Sequence, residues 1–281
     1  MTRRFLLVFL LFVSPLWSAE RTTVTILATT DLHGHIFPFD YYGNRPANVG
    51  LAKAATIIRR IRKEKPHALL IDCGDTIEGS PLVYLHAHQV LAKDPKAGPN
   101  PMMLAMNELD YDAMVVGNHE FNFGMEVLLR AKKDAQFEWL SANVTAAATA
   151  EEALALRKKD VESAFRSVEQ RVFTPMIVEE VDGVSVAIIG LTTPAVPNWE
   201  RPENIESYRF EPPVEAAREW VRYARGNRHA DVVVVAAHLG LERDLDTAQP
   251  FPDQLPKENA VYQIAQAVPG IDGIIDRKSV V

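Results

Sequence analysis

Six polar residues carry the chemistry of this sequence by type and spacing. Asp31 and His33 occur in "TTDLHGH", Asp75 in "DCGDTIEGSPL", Asn118 and His119 in "VVGNHEFNFG", and His238 in "VAAHLGLERD". Each follows an apolar, β-branched run. A carboxylate and an imidazole two residues apart on an extended chain project to the same side and can grip one metal ion. Asp75 arrives from the next strand and could bridge two ions. Asn118 offers a carbonyl oxygen, and His238 a further imidazole. Mixed nitrogen and oxygen donors suit Zn, Mn, Fe or Co and disfavour a thiolate site. A lone aspartate at a strand end is usually a helix cap, and a lone buried histidine usually makes a structural hydrogen bond. D-x-H, G-D, G-N-H-E and A-H-x-G in this order, each at a strand end, are hard to explain by capping.

The elements that must position these residues are legible as well. Runs at Thr23–Asp31, Ala68–Asp75, Ala113–Glu120, Val184–Thr193 and Asp231–Gly240 read as buried strands. Between them, "GLAKAATIIRRIRKEK" and "PMMLAMNELD" space their apolar residues as helices do. Strands alternating with helices imply an α/β fold with a largely parallel sheet, whose carboxyl edge is where ligands bind. Residues 145–167, rich in Ala, Glu, Lys and Arg, read as an inserted exposed helix. His86 and His88 in "YLHAHQ" would face different sides of a helix and are expected to be solvated rather than metal-bound.

Composition sets the limits. The 281 residues carry 30 Lys and Arg against 37 Asp and Glu, a net charge of −7. That balance argues against non-specific binding of nucleic-acid polymers, although a metal ion can attract a small phosphorylated substrate locally. Arg3 and Arg4 precede an apolar run from Phe5 to Val13 and a small-residue exit at Ser18-Ala19, the pattern of a secretory signal over residues 1–19. The run falls short of the roughly 20 residues that span a bilayer. The expected location is periplasmic or secreted, with no membrane association after cleavage. The single cysteine, Cys73, cannot form an internal disulfide and is expected to be buried and inert.

Together these motifs resemble those of the calcineurin-like dinuclear metallophosphoesterases, in particular their exported 5'-nucleotidase branch. "HIFPFDYY", "GDTIEGSPL" and "GNHEFNFG" are most similar to the periplasmic 2',3'-cyclic-nucleotide 2'-phosphodiesterase/3'-nucleotidases. The resemblance implies a sandwich of two mixed β-sheets flanked by helices, and two divalent metal ions. It implies that Asp31 and His33 hold the first ion, Asp75 bridges, and Asn118 and His238 hold the second. His119 would stabilise charge on the transferring phosphoryl group or protonate the leaving oxygen. Many 5'-nucleotidases carry Asp where this chain has Asn122; asparagine can accept a hydrogen bond from the neighbouring histidine but brings no charge. The implied substrates are 2',3'-cyclic nucleotides and 3'-nucleotides. A 5'-nucleotidase or UDP-sugar hydrolase is the enzymatic alternative, and an exported metal- or solute-binding protein the non-catalytic one. At the C-terminus "GIDGII" leads into "DRKSVV" where the family carries I-I-x-G-H-[ST]-H. The expectation is a catalytic domain over residues 20–275 that is incomplete at its C-terminus, and a non-native tail over 276–281.

Overall fold

The computed structural model describes residues 21–146, 172–252, 255 and 257–277. The strands are β1 (Ile26–Thr29), β2 (Phe39–Asp40), β3 (Arg45–Pro46), β4 (Leu69–Asp72), β5 (Ala113–Val115), β6 (Glu138–Leu140), β7 (Val144–Ala146), β8 (Met176–Val181), β9 (Val184–Thr192), β10 (Tyr208–Phe210), β11 (Val232–His238) and β12 (Gly273–Asp276). The helices are α1 (Leu51–Glu64), α2 (Pro81–Leu91), α3 (Pro101–Asn107), α4 (Gly124–Asp134), α5 (Pro202–Ile205), α6 (Pro213–Gly226) and α7 (Val261–Ala267).

Local sequence explains the elements. In α1, Leu51, Ala55 and Ile58 fall on one buried face, and Arg62 and Lys63 sit in the last turn, where cations complement the helix dipole. Asn100 caps α3: its side-chain oxygen accepts from the N–H groups of Met102 and Met103 at 2.9 and 3.3 Å, ahead of Pro101 in the first turn. The four residues of β4 are all buried, as expected of a strand covered on both faces.

Two sheets result. One runs β1-β4-β5-β6 and is parallel throughout; the other runs β12-β11-β9-β8, parallel except for the antiparallel β8–β9 pair. Alternate residues of each strand serve two cores. Leu70, Met114 and Trp139 pack outward against α1, α3 and α4. Leu69, Ile71, Val115 and Leu140 pack inward against Ile177, Val186, Ile188 and Ala236 of the other sheet. Outside that second sheet, Ile189, Val233 and Val235 pack against Trp220 and Val221 of α6 and Ile264 of α7. Helices thus flank a double-sheet sandwich. The small pairs β2–β3 and β7–β10 lie apart from it.

The sandwich aligns the carboxyl ends of β1, β4 and β5 with those of β9 and β11. A polar seam joins them: Thr192 Oγ1 donates to the Val116 carbonyl at 2.7 Å, and Asn143 exchanges two hydrogen bonds with the Thr192 backbone. The sheets also meet closely at Gly190, where an added Cβ would stand 2.4 Å from Leu140 Cβ.

Several sequence expectations need correction. Thr145 and Ala146 do not begin a helix; they pair with Arg209 and Tyr208 in β7 and β10, and residues 147–167 lie outside the described ones. His86 is buried, not solvated, and its Nε2 contacts the Gly98 carbonyl at 3.0 Å; His88 is exposed. Cys73 is buried as expected, and burial pushes its thiol far above the usual range. The signal-like residues 1–19 lie outside the described residues. Among those described, no helix is long and apolar enough to cross a membrane.

Gly190→Ala should therefore lower stability by about 1–3 kcal/mol, because the nearest obstacles are backbone and Cβ atoms that cannot swing aside. The denaturant midpoint measures it.

Candidate metal centre

The functional segments meet where the two sheets share an edge. β1 ends at Thr29, so Asp31 and His33 are not on an extended strand as expected. They occupy a turn with φ of +52° and +45°, and Asp75 has φ of +61°. Left-handed backbone at three non-glycine residues is costly and persists only where the surroundings enforce it. Here the enforcement is visible. The N–H groups of Asp31, His33 and Gly34 donate to the carbonyls of Gly74, Asp75 and Thr76, each at 2.9 Å, so backbone hydrogen bonds tie the two turns together beyond the strand ends. Gly74 has φ of +97°, and a Cβ there would stand 2.7 Å from the Gly117 nitrogen and 2.8 Å from His238 Nδ1. Only glycine lets the three strand ends approach this closely.

A buried carboxylate ties the loops together. Glu120 accepts from the N–H groups of Gly117 and Asp75 with Oε2, at 2.7 and 2.9 Å. Its Oε1 accepts from Thr76 and Ile77, at 2.6 and 3.2 Å. Burial raises its pKa and so does Asp75, while these N–H groups favour the ionised form. Asp72, also fully buried, accepts from Thr29 Oγ1, Gly74 N and Thr76 Oγ1, and burial pushes its pKa up to about 7.

The convergence itself is tight. Asp31, Asp75 and His238 each offer a ligand atom within 4.8 Å of the others. His238 Nδ1 contacts the Cys73 carbonyl at 2.6 Å, which aims Nε2 into the site. That Nε2 lies 3.0 Å from Asp75 Oδ2 and 3.1 Å from Asn118 Oδ1. Two oxygen acceptors and a ring nitrogen facing one point require positive charge there. Among the described residues Arg277 supplies it: one guanidinium nitrogen lies 2.7 Å from His238 Nε2, 2.8 Å from Asn118 Oδ1 and 3.7 Å from Asp75 Oδ2. Arg277, in the segment expected to be a non-native tail, thus stands among the candidate ligands; Asp276 before it closes β12 against Ala237, and 278–281 lie outside the described residues. The donor set fits a divalent ion. A proton on His238, the Arg277 guanidinium and a metal ion are alternative cations at that point.

Electrostatics agree with this competition. Burial pulls the Asp75 carboxyl upward, but His238 and the His119 N–H outweigh it and hold Asp75 below the usual carboxylate range. Burial opposes charge on His238, yet Asp75 outweighs burial and raises its pKa.

His33 and His119 form the more open side. His33 Nε2 is 3.8 Å from Asp31 Oδ1, and the His33 and His119 rings stand edge to face at 5.2 Å. His119 Nδ1 lies 2.6 Å from Asn122 Oδ1, as the sequence reading allowed. The charge that Asn122 lacks comes from a residue the reading missed: Glu78 Oε2, 3.4 Å from His119 Nδ1 and 3.8 Å from His33 Nδ1. Glu120, Glu200 behind Asn122, and Arg277 were missed as well. Glu78 and Glu120 lie inside the quoted motifs, and an acid amid "NHEFNF" that must be buried was the available signal. Glu200 is distant in sequence and gave none; Arg277 follows "GIDGII", a segment the resemblance placed at the site, but nothing singled out an arginine.

With this geometry in place, the comparisons with known proteins decide the family. Residues 24–275 match the Calcineurin-like phosphoesterase family. The chain belongs to it. A 2',3'-cyclic-nucleotide 2'-phosphodiesterase/3'-nucleotidase of Yersinia enterocolitica is 33% identical over 266 residues, covering 92% of this chain and 37% of that protein. The trifunctional nucleotide phosphoesterase protein YfkN of Bacillus subtilis (strain 168) is 32% identical over 271 residues, covering 92% and 16%. The crystal structure of a calcineurin-like phosphoesterase YfkN from Bacillus subtilis superposes with a TM-score of 0.71 at 31% identity, covering 90% of this chain and 71% of that one. The chain spans little more than a third of the Yersinia relative's length, and less of YfkN's. A family of metallophosphoesterases implies divalent metal ions, in keeping with the cluster around Asp75.

Three outcomes follow. Glu120→Gln has one acceptor oxygen for four N–H donors, so it should lower stability by about 1–3 kcal/mol and weaken Mn²⁺ binding about 10–100-fold; thermal unfolding and calorimetric titration measure these. Arg277→Ala should tighten Mn²⁺ binding about tenfold, or ~1.4 kcal/mol. In both this variant and the parent chain, affinity should fall as pH drops, beginning above the ordinary histidine range, because His238 has a raised pKa and its proton excludes the metal.

Proposed function

We propose that this chain is the catalytic domain of an exported enzyme that hydrolyses nucleotide phosphoesters, with 2',3'-cyclic nucleotides and 3'-nucleotides as substrates. The observation that carries this reading is the convergence of Asp31, Asp75, Asn118 and His238, with the non-ligand histidine His119 beside it. A storage or transport site has no use for such a histidine. Two divalent ions, drawn from Zn, Mn, Co and Fe, would be held by Asp31 and His33 on one side and by Asn118 and His238 on the other, with Asp75 between. When bound they supply Lewis acidity, neutralising phosphoryl oxygens and lowering the pKa of a water. The rest is the work of side chains. His119 gives a proton to the leaving oxygen, its Nδ1 held by Asn122 and its charge compensated by Glu78. Burial at Asp75 and His238 excludes bulk water and strengthens each electrostatic contact.

The names of the Yersinia and Bacillus relatives support nucleotides as the substrate class. A second reading, hydrolysis of 5'-nucleotides, is supported by similarity to a 5'-nucleotidase precursor from Thermus thermophilus, 27% identical with a TM-score of 0.60. Export rests on Arg3, Arg4 and the apolar run that follows.

The test is hydrolysis of bis-(p-nitrophenyl) phosphate, 2',3'-cyclic AMP, 3'-AMP and 5'-AMP by the Mn²⁺-loaded chain. The cyclic and 3' substrates should be preferred; exclusive use of 5'-AMP would favour the second reading. Asp75→Asn should lose both ions by elemental analysis. His119→Gln should keep them while kcat falls about 10²–10⁴-fold. Full metal content and rate in Asp75→Asn would remove Asp75 from its bridging role.

A further inference from the structure

Behind Asn122 stands a buried carboxylate. Glu200 Oε1 accepts from Asn122 Nδ2 at 2.6 Å, and its Oε2 accepts from Asn204 Nδ2 at 3.0 Å. Asn204 Nδ2 also donates to the Asn122 carbonyl at 3.2 Å. Glu200 follows the 3₁₀ turn Val196–Asn198 and is 78 residues from Asn122 in sequence.

An amide has one donor end and one acceptor end. As a carboxylate, Glu200 accepts only, so the NH₂ group of Asn122 must face it. That turns Asn122 Oδ1 toward His119, 2.6 Å from Nδ1. Oδ1 also accepts only, so His119 must carry a proton on Nδ1, and its reactive nitrogen is Nε2. Glu78, 3.4 Å from the same Nδ1, adds a more distant negative charge on that side without the close contact that Asn122 makes. Without Glu200 the amide could turn over and present NH₂ to Nδ1, driving the proton to the other nitrogen. An aspartate in place of Asn122 would instead set a second carboxylate against the buried Glu200, and like charges at such a distance are costly.

We propose that Glu200 is a positioning residue for catalysis: it fixes the amide polarity of Asn122 and thereby the proton arrangement of His119. It also explains why position 122 is asparagine in this chain, since the carboxylate has moved one link outward. The inference rests on the reading of His119 as the proton donor.

The test is an exchange of polarity in the Mn²⁺-loaded chain. Glu200→Gln alone offers one acceptor oxygen to two amide donors, and Asn122→Asp alone faces Glu200 with like charge. When the two substitutions are combined, the new glutamine amide donates to the new aspartate and accepts from Asn204, so every partner is restored. Each single variant should lose about 10–100-fold in kcat with KM within about threefold, and Asn122→Asp should unfold at lower temperature. Asn122→Asp with Glu200→Gln should recover kcat to within about fivefold and regain the lost thermal stability. In nitrogen-15 spectra of the His119 ring, the parent and the double variant should show a hydrogen-bonded Nδ1 proton, with Glu200→Gln showing it weakened or exchanging. A double variant no better than Asn122→Asp in either rate or stability, or an unchanged Nδ1 proton in Glu200→Gln, would overturn the proposal. If His119→Gln turned over substrate normally, the proton-donor reading would fall; the ring spectra and unfolding temperatures would still decide the polarity assignment on their own.

Discussion

Four backbone N–H groups from two different loops end on one buried carboxylate, that of Glu120. A loop at a strand end leaves such donors unpaired, and unpaired donors away from water are costly. By collecting the donors of Gly117, Asp75, Thr76 and Ile77, Glu120 makes one rigid piece of the segments after β4 and β5. The left-handed backbone at Asp75 is stabilised by this, and so is the approach of Gly74 to His238. The candidate metal ligands are placed by backbone hydrogen bonding first and by side-chain choice second.

A second consequence concerns charge. The sandwich carries His238, from one sheet, against Asp75 and Asn118, from the other, in a place closed to water. Closely set acceptors in a low dielectric demand a cation. Arg277 meets that demand with a guanidinium, and a divalent ion would meet it more compactly. Around this deep charge the surface groups form a graded set: Asp31 and His33 half-exposed, His119 more open, with Glu78 between the two histidines.

Much of this was legible in the sequence because it depends on local pattern. Apolar runs gave β4, β5 and β11, and the polar residues at or just beyond their ends gave Asp75, Asn118 and His238 in chain order. Alternation within Leu69–Asp72 could not show that its two faces serve different cores, since both are apolar. The turn at Asp31 and His33 was misread as extended because neither residue is itself a glycine and the adjacent Gly34 was not read as a turn signal; distant carbonyls at Gly74 and Asp75 impose the left-handed backbone. His86 was misread because its burial comes from the Gly98 loop and not from its own helix. Glu200 reaches the site through tertiary folding alone, and nothing near it in sequence points there; Arg277 stands where the resemblance places I-I-x-G-H-[ST]-H, a cue to the position but not to an arginine.

The account turns on Asp75, beside His238 and Asn118, as a candidate ligand for a divalent ion. The most direct measurement is a crystal structure of the chain soaked in Mn²⁺, with anomalous scattering at the manganese edge. The account predicts anomalous peaks in contact with Asp75, one of them also touching His238 and Asn118, and the Arg277 side chain moved out of the cluster. Peaks that leave Asp75 untouched, or saturating Mn²⁺ with Arg277 still bonded to His238 and no peak at the cluster, would contradict it.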